Sequence, residues 1–459
     1  METDELYEQG GEFIQRALAL FDAEWSNIKN AFEWIMEHTA DDDESADLCS
    51  KFLCGGTFLL DLRQHPEERF KWLKAALEAS RRIKDRSAEV DHLGNIGNAL
   101  AKLGEFQDAI VFYEKQLTLA DQIGEQNGLI SSLGMAYYRI GEFKRALELC
   151  EKDLVLIKNN NDQWQESIAL NNLGLIYEAL GKIPQAKKYF NQSINVSHQA
   201  GNLQGESTAL NNLANIHHIF GNRRQALECY EQALNIARSI EDRSGEIQTL
   251  NNLGNIYAAI GNLSKAIEIY EQQLIAARKI SDYYGESSSI SSLANAYFQM
   301  DRLFEAIELY EQSLANACDK GDRNGEAKAL ASLGSVYYKL DDFKRAIAFH
   351  KQAIGIKREI GDRRGEGVSL GNLGVIYDEI GKSRVALKYY EKALVIDREI
   401  GDHKSEAADL WNISLTLYKL NNKDEAIVNA EKSLIIFIEI EDPFSETIKE
   451  KLASWKNED

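Results

Sequence analysis

The residues of this sequence that could do chemistry stand at spacings suited to holding another chain and poorly suited to running a reaction. Gly381-Lys382-Ser383 has the ending of a phosphate-binding loop, but the glycine required five residues before Gly381 is Ile376, so the tripeptide reads as a turn. His217 and His218 are adjacent. Adjacent residues on a helix point about 100° apart, which excludes the i, i+4 ligand pair of a metal-binding helix. Cys49 and Cys54 lack the second pair or histidine cluster that a zinc site needs. No Ser-His-Asp or Cys-His arrangement follows from spacing, so the expectation is a protein that is not an enzyme and holds no cofactor or metal. Carboxamides are another matter. Asn215, Asn255 and Asn295 stand forty residues apart, as do Asn171, Asn211 and Asn251, and each offers both donors and an acceptor to an extended backbone. Tyr138-Arg139, Tyr338-Lys339 and Tyr418-Lys419 set a ring beside a cation, with Phe298 and Trp411 on the same stripe. Such patches anchor peptides by burying the ring and pairing with a carboxylate. A solvated cation beside a half-buried tyrosine is the structural alternative.

The elements that must position these groups follow from one period. Leu173, Leu213, Leu253, Leu293, Leu333 and Leu373 recur every forty residues, and Ala186, Ala226, Ala266, Ala306, Ala346 and Ala386 follow at a constant offset. Self-similarity at this period marks a solenoid, because one unit of this size cannot bury its apolar face without neighbours. In the unit at 244–280, Leu250, Leu253, Ile256 and Tyr257 form the apolar face of a first helix, which Gly261 closes. Ala266, Ile267, Tyr270, Leu274 and Ile280 belong to a second helix. Small Gly254 and Ala266 let the two approach, and Tyr257 and Tyr270 fill the space between. Connections such as Gly321-Asp322-Arg323-Asn324-Gly325-Glu326 supply an Asp to cap the next helix and a Glu for its positive end.

Along the chain this predicts an N-terminal helical cap at 1–43, a degenerate repeat at 44–86 with Phe70, Leu73 and Leu77 on its second helix, nine repeats at 87–440, and a capping helix at 441–459 carrying Ile448, Leu452 and Trp455. Shortened spacing between Ile96 and Leu133 predicts a break near Gly128. A formal charge of -21 opposes binding to nucleic acid and anionic lipid. Five scattered cysteines suit reduced thiols, and the acidic start lacks a signal peptide or membrane span, so a cytoplasmic setting is expected, without a membrane partner. No feature sets an oligomeric state.

Leu253-Gly254, Tyr257, Ala266 and Tyr270 resemble the signature of tetratricopeptide repeats. The run Asn251-Asn252-Leu253-Gly254-Asn255-Ile256-Tyr257 is similar to the forty-residue repeats of LGN/Pins scaffolds and kinesin light chains. Residues 21–34, which include Phe21, Trp25 and Trp34, resemble the segment joining STAND-type signalling ATPases, NB-ARC regulators among them, to their repeat sensor arms. The first resemblance implies an all-α, right-handed α-solenoid of antiparallel helix pairs, whose first helices line a concave groove that takes an extended peptide or helix of a protein partner. The groove residues it implies are Asn171, Asn211, Asn215, Asn251, Asn255 and Asn295. A second column, Asn95, Asn172, Asn212, Asn252, Asn372 and Asn412 with Ser132, Ser292 and Ser332 substituting, reads more readily as a structural hydrogen bond repeated in every unit, and for Asn215, Asn255 and Asn295 that reading stands level with the groove one. The second resemblance implies a sensor arm acting on an ATPase or effector.

Overall fold

The computed structural model describes residues 12–39, 42–53, 66–124, 130–280 and 282–457. The break expected near Gly128 lies outside these residues. All 22 elements among them are α-helices, so the fold is all-α. The chain divides into two compact units, residues 1–253 and 254–459.

In the N-terminal unit, α1 (Glu12–His38), α2 (Asp43–Phe52) and α3 (Pro66–Ile83) precede the regular pairs. They are joined by rings: Phe32 lies 4.3 Å from Trp72 and 4.9 Å from Phe52, and Trp25 stacks on Trp72 at 5.9 Å. Pairing then runs α4 (Arg86–Lys102) with α5 (Phe106–Ile123), α6 (Ile130–Arg139) with α7 (Phe143–Asn159), α8 (Gln163–Ala179) with α9 (Ile183–Ala200), and α10 (Leu203–Ile219) with α11 (Arg223–Ser239). Helix α12 (Arg243–Ala259) carries the division between the units. The C-terminal unit continues with α13 (Leu263–Lys279), α14 (Tyr283–Gln299) with α15 (Leu303–Lys320), α16 (Arg323–Lys339) with α17 (Phe343–Glu359), α18 (Arg363–Glu379) with α19 (Ser383–Ile400), and α20 (His403–Lys419) with α21 (Lys423–Glu439). It ends on α22 (Phe444–Lys456), packed on α21.

The pair α18/α19 shows why these residues make this unit. Leu370, Leu373 and Ile376 bury one face of the first helix, and Ala386 and Tyr390 bury the facing side of the second. The Cβ of an alanine at Gly374 would stand 2.5 Å from the Tyr390 ring, so a glycine is what admits that ring. Gly381 ends the turn at φ 75°, and at the equivalent places without glycine Asp301, Asp341 and Asn421 take positive φ. The expected caps are present: Asp162, Asp242, Asp322, Asp362 and Asp402 accept from the backbone N–H three residues on. First helices of successive repeats also touch, α6 with α8 and α8 with α10 in one unit, α14 with α16, α16 with α18 and α18 with α20 in the other. Each unit therefore carries a continuous stripe built from first helices.

Candidate functional site

That stripe is where the predicted residues stand, and the structure separates those that pack from those that face outward. Asn255 and Asn295 are exposed, yet neither carboxamide is unoccupied. The hydroxyl of Tyr270 donates to Asn255 Oδ1 at 2.7 Å and that of Tyr310 to Asn295 Oδ1 at 2.5 Å. Tyr230 makes the same bond to Asn215, and Tyr113 to Asn98 at 2.7 Å. The donor lies fifteen residues beyond the acceptor, on the second helix of the same pair. Ser292 and Ser332 of the second column complete the arrangement by hydrogen bonding to Tyr270 and Tyr310. The phenols of Tyr270 and Tyr310 are thereby satisfied on both sides. With its carbonyl held, the amide of Asn255 or Asn295 turns its NH2 outward.

The other amide column splits. Asn211 is 7% exposed, and its Nδ2 bonds Thr249 Oγ1 at 2.8 Å and the Ser207 carbonyl at 3.1 Å. It pins one repeat to the next, which corrects its assignment as a groove donor: a carboxamide this enclosed cannot meet a ligand. Asn171 is half-buried and accepts from Asn212 Nδ2 at 2.9 Å, and Asn251 is half-buried as well.

The aromatic and cationic couples come apart in three dimensions, because neighbours on a helix point about 100° apart. Tyr138 and Tyr338 pack on Phe143 and Phe343 in their own repeats, with ring centroids 5.8 and 6.1 Å apart. The cations reach back to the preceding repeat instead. Arg139 sits over Phe106 at 5.2 Å, Lys339 over Phe298 at 5.0 Å with a 2.8 Å bridge to Asp301, and Lys419 meets Asp378 at 2.7 Å. Trp411 is a correction. It is 9% exposed, stacked on Trp455 at 6.0 Å and edge-on to Phe444 at 6.2 Å, because α22 covers the apolar face that the last repeat would otherwise expose. Tyr418 stacks on Trp455 at 4.3 Å for the same reason.

Among the described residues a cleft opens on the stripe in each unit. One, of about 350 Å³, lies in the N-terminal unit between Phe106, Met135, Arg139, Ile168 and Asn172. The other, of about 310 Å³, lies in the C-terminal unit between Val375, Leu415 and Tyr418. Gly381-Lys382-Ser383 is the expected turn, with Ser383 Oγ bonded to Asp378 at 2.7 Å. His217 and His218 are half-buried, and burial holds His217 below the usual imidazole range. Burial pushes the thiols of Cys49 and Cys150 up to about 12, which makes them packing groups and poor nucleophiles.

Forty-residue helix pairs, a small residue such as Gly254 or Gly374 under a second-helix ring, and contacts that run between successive helices within each unit decide the family. Tetratricopeptide-repeat models match residues 126–197, 205–279 and 286–359, and also 93–126 and 369–404. The chain belongs to the tetratricopeptide-repeat family. Among solved structures it is similar to a STAND protein with a tetratricopeptide repeat sensor from Pyrococcus horikoshii, at 18% identity and TM-score 0.59, covering 78% of this chain and 52% of that one. It is also similar to the apo quorum sensor NprR from B. thuringiensis, at 16% identity and TM-score 0.52, covering 78% of this chain and 99% of that one. Apo RapI matches at 12% identity and TM-score 0.55, covering 77% and 99% of the two chains. At these identities the likeness is one of fold. No curated protein matches the sequence. No described helix of this tetratricopeptide-repeat chain is long and apolar enough to cross a membrane.

Sequence reasoning missed one regularity that the repeat itself carries. Asn occurs at 98, 215, 255 and 295, and Tyr stands fifteen residues on in every case; at 135, 175, 335 and 415 the Asn is replaced and Cys150, Phe190, His350 and Ala430 stand where the Tyr would be. The ninth repeat position of this kind, Val375, faces Tyr390 and breaks the rule.

Proposed function

We propose that this protein is a non-enzymatic interaction scaffold of the cytoplasm that binds an extended peptide or helix of a partner protein along the first-helix stripe. The observation that carries the reading is the pair of exposed amides, Asn255 and Asn295, whose carbonyls are held by Tyr270 and Tyr310 and whose NH2 groups are thereby aimed outward as fixed donors. Donors set in advance suit backbone carbonyls of a bound chain, because little ordering is lost on binding. Lys339 and Phe298 add contact surface in the same unit and Arg139 adds it in the N-terminal unit, whereas Trp411 and Asn211 contribute to the scaffold. Tetratricopeptide-repeat membership and the acidic charge support a protein partner over a nucleic acid.

The test is capture of partners by the wild-type chain and by an Asn215→Ala, Asn255→Ala, Asn295→Ala variant whose helicity is unchanged by circular dichroism. Loss of a specific protein from the folded variant supports the stripe, and an identical set of partners removes it from consideration. A second reading, a sensor arm for a STAND-type ATPase, is favoured by α1, which caps the first helices through Phe32 and Trp72 yet leaves Trp34 56% exposed. Replacing Trp34 by Ala should then abolish effector engagement while peptide binding persists; an effector interaction that survives this change argues against a sensor arm.

A further inference from the structure

Glu178, Phe298 and Asp378 stand at the same repeat position, near the end of a first helix on the stripe. In the C-terminal unit the chain meets this position with its own lysines. Lys339 lies over the Phe298 ring at 5.0 Å and Lys419 reaches Asp378 at 2.7 Å, each from the next first helix and forty-one residues further on. Ser383 adds a second bond to Asp378, also at 2.7 Å. Forty-one residues beyond Glu178 the lysine is replaced by Ile219, and Ile183 stands where Ser383 would be. The carboxylate of Glu178 thus lacks both partners that Asp378 has, and among the described residues it makes no hydrogen bond and no ion pair.

This carboxylate is also drawn out of water. Glu178 is half-buried on α8, and burial alone pushes its carboxyl above the usual range, with no cation to oppose the shift. The cations nearest in the chain are engaged elsewhere: Lys182 lies over the Tyr177 ring at 5.7 Å and Arg139 over Phe106 at 5.2 Å. Tyr138, at the same position of α6, is half-buried, and burial and then the charge of Glu178 raise its phenol, so ring and carboxylate are neighbours. Ile219 of α10 is 68% exposed. All three belong to the N-terminal unit. A half-buried carboxylate without a counter-ion is a standing penalty that a cation removes. With an aromatic ring on one side and an exposed aliphatic side chain on the other, the cation that fits is an ammonium carried on a hydrocarbon stem.

We propose that Glu178 is the docking point for a lysine side chain of the partner segment held on the stripe. The ammonium pairs with the Glu178 carboxylate as Lys419 pairs with Asp378, and the stem packs on Ile219 beside the Tyr138 ring. This rests on the reading of the stripe as the peptide-binding face, and it adds to that reading a residue that selects among peptides.

The probes are three pools of acetylated, amidated nonapeptides whose central residue is lysine, norleucine or glutamate and whose other positions are randomised among uncharged residues. Retention on the immobilised full chain is read by mass spectrometry. The wild type should retain the lysine pool about tenfold more than the norleucine pool, the scale of one hydrogen bond to a charged group, and the glutamate pool least. Glu178→Gln keeps the shape and removes the charge, so it should bring the lysine and norleucine pools level without lowering the melting temperature, since no pairing inside the chain is broken. Ile219→Lys gives the chain its own lysine, as Lys419 is to Asp378, and should abolish the preference with Glu178 intact. Equal retention of the lysine and norleucine pools by the wild type leaves the stripe standing and overturns the lysine site alone, as does a lysine preference that survives in either variant. Retention of no pool by the folded wild type removes the stripe reading and this site with it.

Discussion

At the scale of single residues, one substitution changes what a tyrosine does. Where Asn faces it, the phenol is a clamp between helices; where Val faces it, the same phenol is left at the edge of a cleft. The two situations make different predictions for the same mutation. Tyr270→Phe should lower stability by about 1 kcal/mol, because Asn255 and Ser292 lose their shared partner, whereas Tyr390→Phe, which breaks no pairing with an Asn at 375, should cost less. Chemical denaturation of both variants checks this, and equal losses would mean that the Tyr270 bond contributes nothing. The pairing of Asn with a Tyr fifteen residues on was legible in the sequence, since it recurs within one chain. Its meaning was not, because a hydrogen bond depends on how closely two helices approach.

Between elements, the repeats are joined by ion pairs at a spacing of eight. Arg238 binds Glu246, Arg278 binds Glu286, Arg358 binds Glu366 and Arg398 binds Glu406, each at 2.5–2.9 Å and each linking the end of a second helix to the start of the next first helix. Cys318 stands where the cation should face Glu326, and Arg323 serves that carboxylate instead. Cys318→Arg should complete the series and raise stability by about 0.5 kcal/mol, the scale of a partly exposed pair. A melting temperature unchanged or lowered would show that Arg323 already suffices. A second junction, between α19 and α20, is acidic. Asp397 and Asp409 are 3% and 7% exposed, and burial raises both carboxyls above the usual range. Gly367 and Gly371 of α18 leave room over them, with Asp397 Oδ1 3.1 Å and Asp409 Oδ1 3.2 Å from where a Cβ would stand. Asp402, bridged to Arg364, and Glu406, bridged to Arg398, add negative charge nearby. Burial first, then repulsion between the two carboxylates, raises the affinity of Asp409 for its proton. The unfolded chain loses that proton near pH 4, whereas the folded chain keeps it to higher pH, so the pair weakens folding progressively as pH rises above about 4. Asp409→Asn should therefore stabilise the protein at pH 8 by about 1 kcal/mol or more and have little effect near pH 4. Melting across this range that shows no pH-dependent gap between the two proteins would contradict the buried-proton account.

For each unit as a whole, stability is passed between neighbours, because successive helices pack on one another. The last repeat has no successor, and α22 substitutes for one through Ile448, Leu452 and Trp455, all buried, with Trp455 stacked on Tyr418 and Trp411. Trp455→Ala should cost about 3–5 kcal/mol locally. Hydrogen exchange should then quicken in α20–α22 and leave α4–α11 protected; uniform loss would show that the chain unfolds as a single cooperative body. The formal charge of -21 acts at the same scale, favouring a soluble surface that repels other acidic polymers.

The sequence by itself determined the helix pairs, their caps and turns, and the family, because a forty-residue period repeats the same local signals until none is ambiguous. Asp or Asn before a first helix, glycine, Asp or Asn after it, and leucine every forty residues are statements about neighbours in the chain. Which amides face outward was settled only by the tertiary structure. Asn211 and Asn255 stand at neighbouring positions of one pattern, yet Asn211 is enclosed against Thr249 while Asn255 is exposed. Trp411 and Tyr418 looked like ligand contacts and are covered by a helix thirty residues and more further on. Burial and pairing depend on how successive repeats stack, and stacking places together side chains that are far apart in the chain.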